Sequence, residues 1–187
     1  GVIGQMMEKV ELGEMKPRWT EAQIREKCPW AVCGKSADRK RNVITSLALD
    51  AHVQEAHNIK LQAKYKEIIE NEQQWSTYRT EDAEYLLVGY GSMSRIGEAV
   101  VDAAREEGYK VGIVRPITLF PFPEKPIKEL LPQLKGILTI EMSAGQMVED
   151  VKLTANGAVP VHFYGRTGGI IPAPEEIMDA LVKIIKG

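Results

Sequence analysis

Five short strings in this chain hold residue types able to do chemistry. Glu141-Met-Ser-Ala-Gly-Gln-Met-Val-Glu-Asp150 sets a carboxylate at the end of an apolar run, a place from which acids bind ligands or move protons. Glu141 has neither a paired acid nor a histidine close by in sequence, so general acid–base work is not indicated. The reading is structural: a carboxylate that caps backbone amides or pairs with Arg115 or Arg166. Gly165-Arg-Thr-Gly-Gly169 is a basic, flexible loop. Arg166 could embrace an oxyanion such as a phosphate of coenzyme A, because a guanidinium binds oxyanions bidentately. The alternative is a turn whose arginine sits in an interface. Gly89-Tyr-Gly91-Ser-Met-Ser-Arg-Ile-Gly97 joins a strand to a helix, where backbone N–H groups could receive a phosphate or a carboxylate. Its spacing is neither the dinucleotide fingerprint nor a Walker loop, and the motif reads as a tight turn with a serine cap.

The remaining two strings suggest metals and are weaker. Asp50, His52, Glu55 and His57 cluster near a helix start without the His-x3-His spacing that puts two imidazoles on one helical face, so we read them as solvated. Cys28 and Cys33 are the only cysteines. Two thiolates cannot by themselves hold an iron–sulfur cluster or a structural zinc, and the histidines available to help are His52, His57 and His162. They read as reduced and structurally incidental.

What must position these residues is a series of strands and helices after residue 80. Tyr85 to Tyr90 is a nearly continuous apolar run, as expected of a strand covered on both faces. Ile96, Ala99, Val100, Ala103 and Ala104 recur at helical spacing, and Gly108 closes that helix. Further strands are predicted at Lys110–Arg115, Ile137–Glu141 and Pro160–Tyr164. Between them come a short helix near Ile127–Leu134 and one opened by a capping box at Ser143–Gln146. Pro174, Glu175 and Glu176 start a final helix whose core side is Ile177, Ala180, Leu181, Ile184 and Ile185. Strands alternating with amphipathic helices predict a parallel sheet between two helical layers, with ligands at the carboxyl ends of the strands.

Residues 1–80 have a different character. Thr20 opens a short helix ending near Cys28, Lys35 to Arg41 is a basic loop, and a longer helix is predicted over Ala56–Trp75 with Leu61, Tyr65, Ile68 and Trp75 on one stripe. Such a tail suits a linker that wraps a neighbouring domain or subunit. The chain begins without an initiator Met and is expected to be a piece of a longer polypeptide.

Composition excludes several classes. Of 187 residues, 44% are hydrophobic, and the net charge is -2. No concentrated basic face points to nucleic acid or an anionic membrane. No apolar run is long enough to span a bilayer and no signal peptide is present, so the expected location is cytoplasmic.

Gly4-Gln-Met-Met-Glu8, Asn42-Val-Ile-Thr-Ser46, His57 to Tyr65, Val114-Arg-Pro-Ile-Thr-Leu-Phe-Pro121, Glu141 to Asp150 and Phe163 to Gly169, in this order, resemble the alpha subunit of the 2-oxoacid:ferredoxin oxidoreductases, of the 3-methyl-2-oxobutanoate or 2-oxoglutarate type. The resemblance implies that residues 81–187 form a transketolase carboxy-terminal-like domain, a three-layer α/β/α fold with one antiparallel edge strand. It implies that residues 1–80 are an extended, partly helical linker after a pyrimidine-binding domain. For the whole complex it implies thiamine diphosphate, Mg and iron–sulfur clusters, with acyl transfer to coenzyme A and electrons passed to ferredoxin. The partners would be the thiamine-binding and iron–sulfur subunits, and the separated chain could expose apolar patches and form a homodimer. This chain lacks the Gly-Asp-Gly…Asn motif for Mg diphosphate and the cysteine motifs for clusters, so no catalytic residue and no cofactor is carried over to it. Arg115, Glu141, Gln146 and Arg166 are its candidates for a surface approached by substrate or coenzyme A, or for an interface.

Overall fold

The computed structural model describes residues 12–15, 18–32, 37–38 and 40–187. Cys33, Lys35, Arg39 and the Gly4–Glu8 string lie outside the described residues. The chain separates into two compact units, one ending at Lys64 and one running from Tyr65 to Gly187.

The first unit contains α1 (Glu21–Lys27) and the start of α2 (Ala51–Asn71). Thr20 caps α1 in the expected capping box, its Oγ1 accepting from the Gln23 N–H at 3.3 Å while Gln23 Oε1 accepts from the Thr20 N–H at 2.9 Å. Asp50 opens α2 by accepting from the N–H groups of His52 and Val53. The carboxylate placed among possible metal ligands is therefore a helix cap. Neither helix has a buried residue. Trp19, Trp30, Val43, Leu47 and Leu49 are all more than half exposed, and no buried apolar core forms among the described residues of this unit.

The second unit is a five-stranded sheet in the order β1-β3-β2-β4-β5, made from β1 (Trp75–Tyr78), β2 (Tyr85–Val88), β3 (Val111–Pro116), β4 (Gly136–Glu141) and β5 (Val161–Gly165). Strands β2 to β5 run parallel, and β1 is the antiparallel edge, with Ser76 opposite Arg115. Two helices cover each face. Leu87, Ile113, Leu138 and Ile140 meet α3 (Ser92–Glu106) and α6 (Pro174–Lys186). Leu86, Val88, Val114 and Ile137 meet α4 (Glu124–Leu130), the 3-10 turn Leu131–Gln133 and α5 (Met147–Ala155). Adjacent residues of one strand thus enter opposite cores, which is why these strands read as unbroken apolar runs. Each fully buried Leu or Ile contributes about 1.5–3 kcal/mol relative to exposure.

Three expectations need correction. The long helix stops at Asn71, and Trp75 belongs to β1, because an edge strand of sequence WSTY is half solvated and carries no apolar run. The sheet therefore begins before residue 80. The buried face of α3 is Met93, Ser94, Gly97, Val100, Val101 and Ala104, while Ala99 and Ala103 are exposed. The seam passes through Gly97, where a Cβ would stand 2.5 Å from Ile113 Cδ1 and 3.0 Å from Ile140 Cδ1. Losing that one side chain lets the helix settle closer to the sheet and turns its contact face. The short helix starts at Glu124 rather than Ile127 and ends in the 3-10 turn. Among the described residues no helix is long and apolar enough to cross a membrane.

The chain enters the sheet from β1 past Gly112, whose place leaves no room for a side chain: a Cβ there would lie 2.5 Å from the Arg79 carbonyl oxygen and 2.9 Å from the Thr80 Cα. Gly112→Ala must move backbone, and we expect it to lower stability by about 1–3 kcal/mol. Urea denaturation followed by circular dichroism measures this; an unchanged midpoint would mean that the Arg79–Thr80 crossing yields freely.

Candidate site at the carboxyl edge of the sheet

From β2 the chain crosses to β3 on one side, then returns past β2 to β4 on the other. The strand order therefore reverses between β2 and β4, and the loops that leave these strands, Gly89–Gly91 and the one from Met142, flank the crevice where ligands of such sheets bind. Gly91, at φ 58°, ends the first loop and is the N-cap of α3. No side chain caps that helix; instead Ser94 Oγ donates to the Gly91 carbonyl at 2.7 Å and tightens the turn.

Glu141 ends β4 and is wholly buried. Its carboxylate accepts from four donors: Ser143 Oγ (2.9 Å) and the backbone N–H groups of Gln146 (3.1 Å to Oε2), Met147 (3.2 Å) and Val148 (2.9 Å). It is the cap of α5, taking the orphan amides that open every helix. This corrects the expected Ser143–Gln146 capping box. Ser143 Oγ instead accepts from the Gly145 N–H at 3.1 Å and donates to Glu141, so it braces the capping group. It also removes Glu141 from any exposed surface, since its lone pairs are occupied within the fold.

Two of the other candidates adjoin it. Gln146 is exposed at the N-cap of α5. The Arg166 N–H donates to the Glu141 carbonyl at 3.2 Å, and its guanidinium pairs with Glu176 Oε2 at 2.9 Å. Arg115 lies two strands away across β2, about 10 Å at ordinary strand spacing, exposed and without an ion pair among the described residues. The fold therefore gathers Glu141, Gln146 and Arg166 and leaves Arg115 on the far side of the crevice.

Sequence reading missed Tyr164 and Glu176. Tyr164 Oη donates to Glu176 Oε2 at 2.8 Å, and Glu176 also accepts from the Ala173 N–H at 3.1 Å. The N–H of Ala173, the Tyr164 hydroxyl and the Arg166 charge hold the Glu176 carboxyl below its ordinary range. Burial, aided by Glu176, raises the Tyr164 hydroxyl. The available signal was the position of Glu176 at the third residue of α6, where a carboxylate reaches back to the cap. On the α5 side, burial raises the Asp150 carboxyl, with the charges of Glu141, Glu124 and Glu149 adding to it. Among the described residues no group of three or more His, Cys, Asp or Glu could hold a metal ion.

Two measurements follow from this geometry. Glu141→Gln keeps the volume but leaves a capped backbone N–H facing a donor, which should cost about 1–3 kcal/mol in urea denaturation. Glu176, with its lowered value in the fold, stabilises fully above its unfolded value and loses that contribution as pH falls through the folded one. Glu176→Gln should therefore melt below the parent at pH 7, with the gap closing as pH drops below the ordinary glutamate value of about 4.3. A gap that stays constant with pH would show that ionisation of Glu176 is not what stabilises.

Comparison with known proteins agrees with this architecture. The family described as pyruvate:ferredoxin oxidoreductase core domain II matches residues 83–177. The ketoisovalerate oxidoreductase subunit VorB of Methanothermobacter marburgensis is 43% identical over 183 residues, which cover 98% of this chain and 49% of that protein. The 2-oxoglutarate synthase subunit KorA of the same organism is 35% identical over 103 residues, 55% of this chain and 28% of that one. The chain thus spans about half the length of the curated relatives that it matches along nearly its whole extent. Among solved structures, a 2-oxoglutarate:ferredoxin oxidoreductase from Magnetococcus marinus, with 2-oxoglutarate, coenzyme A and succinyl-CoA bound, superposes with a TM-score of 0.59 at 16% identity, over 74% of this chain and 24% of that one. A split-gene transketolase, an inactive β4 tetramer, superposes at 0.52 and 15% identity, over 60% of this chain and 41% of that one. Both likenesses are of fold. The chain belongs to the pyruvate:ferredoxin oxidoreductase core domain II family.

Proposed function

We propose that this chain is the carboxy-terminal structural and assembly part of the alpha subunit of a thiamine diphosphate-dependent 2-oxoacid:ferredoxin oxidoreductase. The complex converts a 2-oxoacid and coenzyme A to acyl-CoA and CO2, and two electrons pass one at a time to ferredoxin. The observation that carries this reading is the 43% identity maintained along 98% of the chain to a ketoisovalerate oxidoreductase subunit.

The residues present do not fit the redox groups. Two cysteines are too few for a cluster, Cys28 stands as a free thiol, and the carboxylate nearest the crevice, Glu141, is committed to α5. We therefore derive no step through thiamine or iron and assign both to the thiamine-binding and iron–sulfur parts of the complex. What this chain supplies is a rigid carboxyl edge. Arg115, Gln146 and Arg166 are among the exposed or half-exposed polar groups there, suited to the approach of an anionic oxoacid or of coenzyme A phosphates. The expected linker role of residues 1–80 is supported by the uncovered tryptophans and leucines before Lys64, which call for a surface supplied by the rest of the longer subunit.

The test is oxoacid- and coenzyme A-dependent reduction of a viologen dye by the full-length subunit co-expressed with its neighbours. Activity should vanish when residues 81–187 are deleted. Arg115→Ala should raise the KM for coenzyme A or oxoacid by about tenfold with kcat little changed, as for loss of one charged hydrogen bond. No reduction with any oxoacid, by a complex shown to hold thiamine and iron, would refute the enzyme reading and leave a non-catalytic interaction module of the same fold.

A further inference from the structure

Strand β5 closes the sheet on one side, and among the described residues nothing pairs with its outer edge. The direction of its backbone groups follows from two bonds. The Ile137 N–H donates to the Pro160 carbonyl, and the Arg166 N–H donates to the Glu141 carbonyl. Even-numbered residues of this strand thus face β4. In a parallel ladder the N–H and C=O of the next residue point the opposite way, so Val161, Phe163 and Gly165 turn theirs to the open edge. No proline, lysine or bulge lies within the strand to blunt that edge, and Phe163 is 40% exposed. Beside it, on the α6 face, runs a groove of about 490 Å³ lined by His162, Asp179 and Lys183 among others. Asp179 and Lys183 stand four residues apart on α6, both exposed, and neither forms an ion pair among the described residues.

We propose that β5 is a homodimerisation edge, on which a second copy of this chain pairs its own β5 antiparallel about a two-fold axis through Phe163. The register is self-complementary. Phe163 meets its counterpart, Val161 meets Gly165 and Gly165 meets Val161, and all three are hydrogen-bonded pairs, so every outward N–H and C=O on both strands is satisfied. A foreign strand gains nothing from this symmetry, whereas a two-fold interface requires that a residue and its contact exchange roles. Charge obeys the same condition. The two-fold sets the α6 helices side by side and antiparallel on one face of a continuous sheet, which brings Asp179 of each copy to Lys183 of the other. The unpaired state of both groups in the single chain is what this pairing resolves.

Sedimentation equilibrium of the 187-residue chain across a concentration series tests it. A monomer–dimer equilibrium is expected. Lys183→Asp sets like charges against each other and should weaken the dimer by about tenfold. The reciprocal double variant Asp179→Lys with Lys183→Asp should restore it, which a merely structural effect would not do. Phe163→Pro removes an N–H that β4 does not use, and it should leave a monomer with the parent's circular dichroism; if that variant fails to fold, the charge exchange alone decides. Backbone amides of Val161, Phe163 and Gly165 should exchange slowly only at concentrations where the dimer forms. A chain that stays monomeric throughout, or a dimer indifferent to the charge exchange, would overturn the proposal.

Discussion

A carboxylate sealed from water ties the carboxyl edge of this domain together. Glu141 takes the first amides of α5 with its side chain and the Arg166 amide with its carbonyl, so one residue at the end of β4 fixes a helix on one face and the exit of β5. Burying a carboxylate is costly unless donors replace the water it loses, and here four donors do so at 2.9–3.2 Å. The loop from Met142 to Gln146 can be irregular because its anchor is internal. Gly165 is held to this arrangement from the other side: a Cβ there would stand 2.4 Å from the Ser143 carbonyl oxygen.

How much was legible in the sequence depended on how much each residue buried. Strands β2, β3 and β4 announced themselves because both faces are covered, and the final helix because its apolar stripe and its first-turn acids agree. The edge strand β1 did not, since Trp75–Tyr78 packs on one side only and Trp75 falls by coincidence at helical spacing from Ile68. The face of α3 was misjudged for another reason. Apolar periodicity counts side chains present, whereas this seam is made by one that is missing, at Gly97. For the candidate site, residue types were readable and their partnerships were not. Glu141 stood out at the end of its strand, but that its donors would be α5 amides rather than Arg115 or Arg166 depends on the turn between, and the Tyr164–Arg166–Glu176 group joins residues from a strand and a helix across a long loop.

The domain separates framework from chemistry. Its wholly buried carboxylate, Glu141, is spent on a helix cap, and at the amino edge the partly exposed Glu84 bridges the exposed Lys110 and Lys135. At the carboxyl edge Arg115 and Gln146 stay exposed. Such a distribution suits a part whose contribution is to hold surfaces for others in a fixed geometry. The likeness to a split-gene transketolase is one of fold, and a fold of this kind does not fix an activity, because sites are grafted onto the framework.

The manner in which β1 joins the sheet decides where this domain can be cut. Its four residues arrive from upstream, cross at Gly112 and lie antiparallel along β3, whose Val111, Ile113 and Val114 are all but inaccessible to solvent. A boundary drawn at Ala83, where the family match begins, keeps every parallel strand and discards the one that pairs with the edge of β3. The piece so excised would carry a bare valine- and isoleucine-rich edge, open to any strand it met. As a portable module the domain starts before Trp75, and the shorter version would be a seed for aggregation.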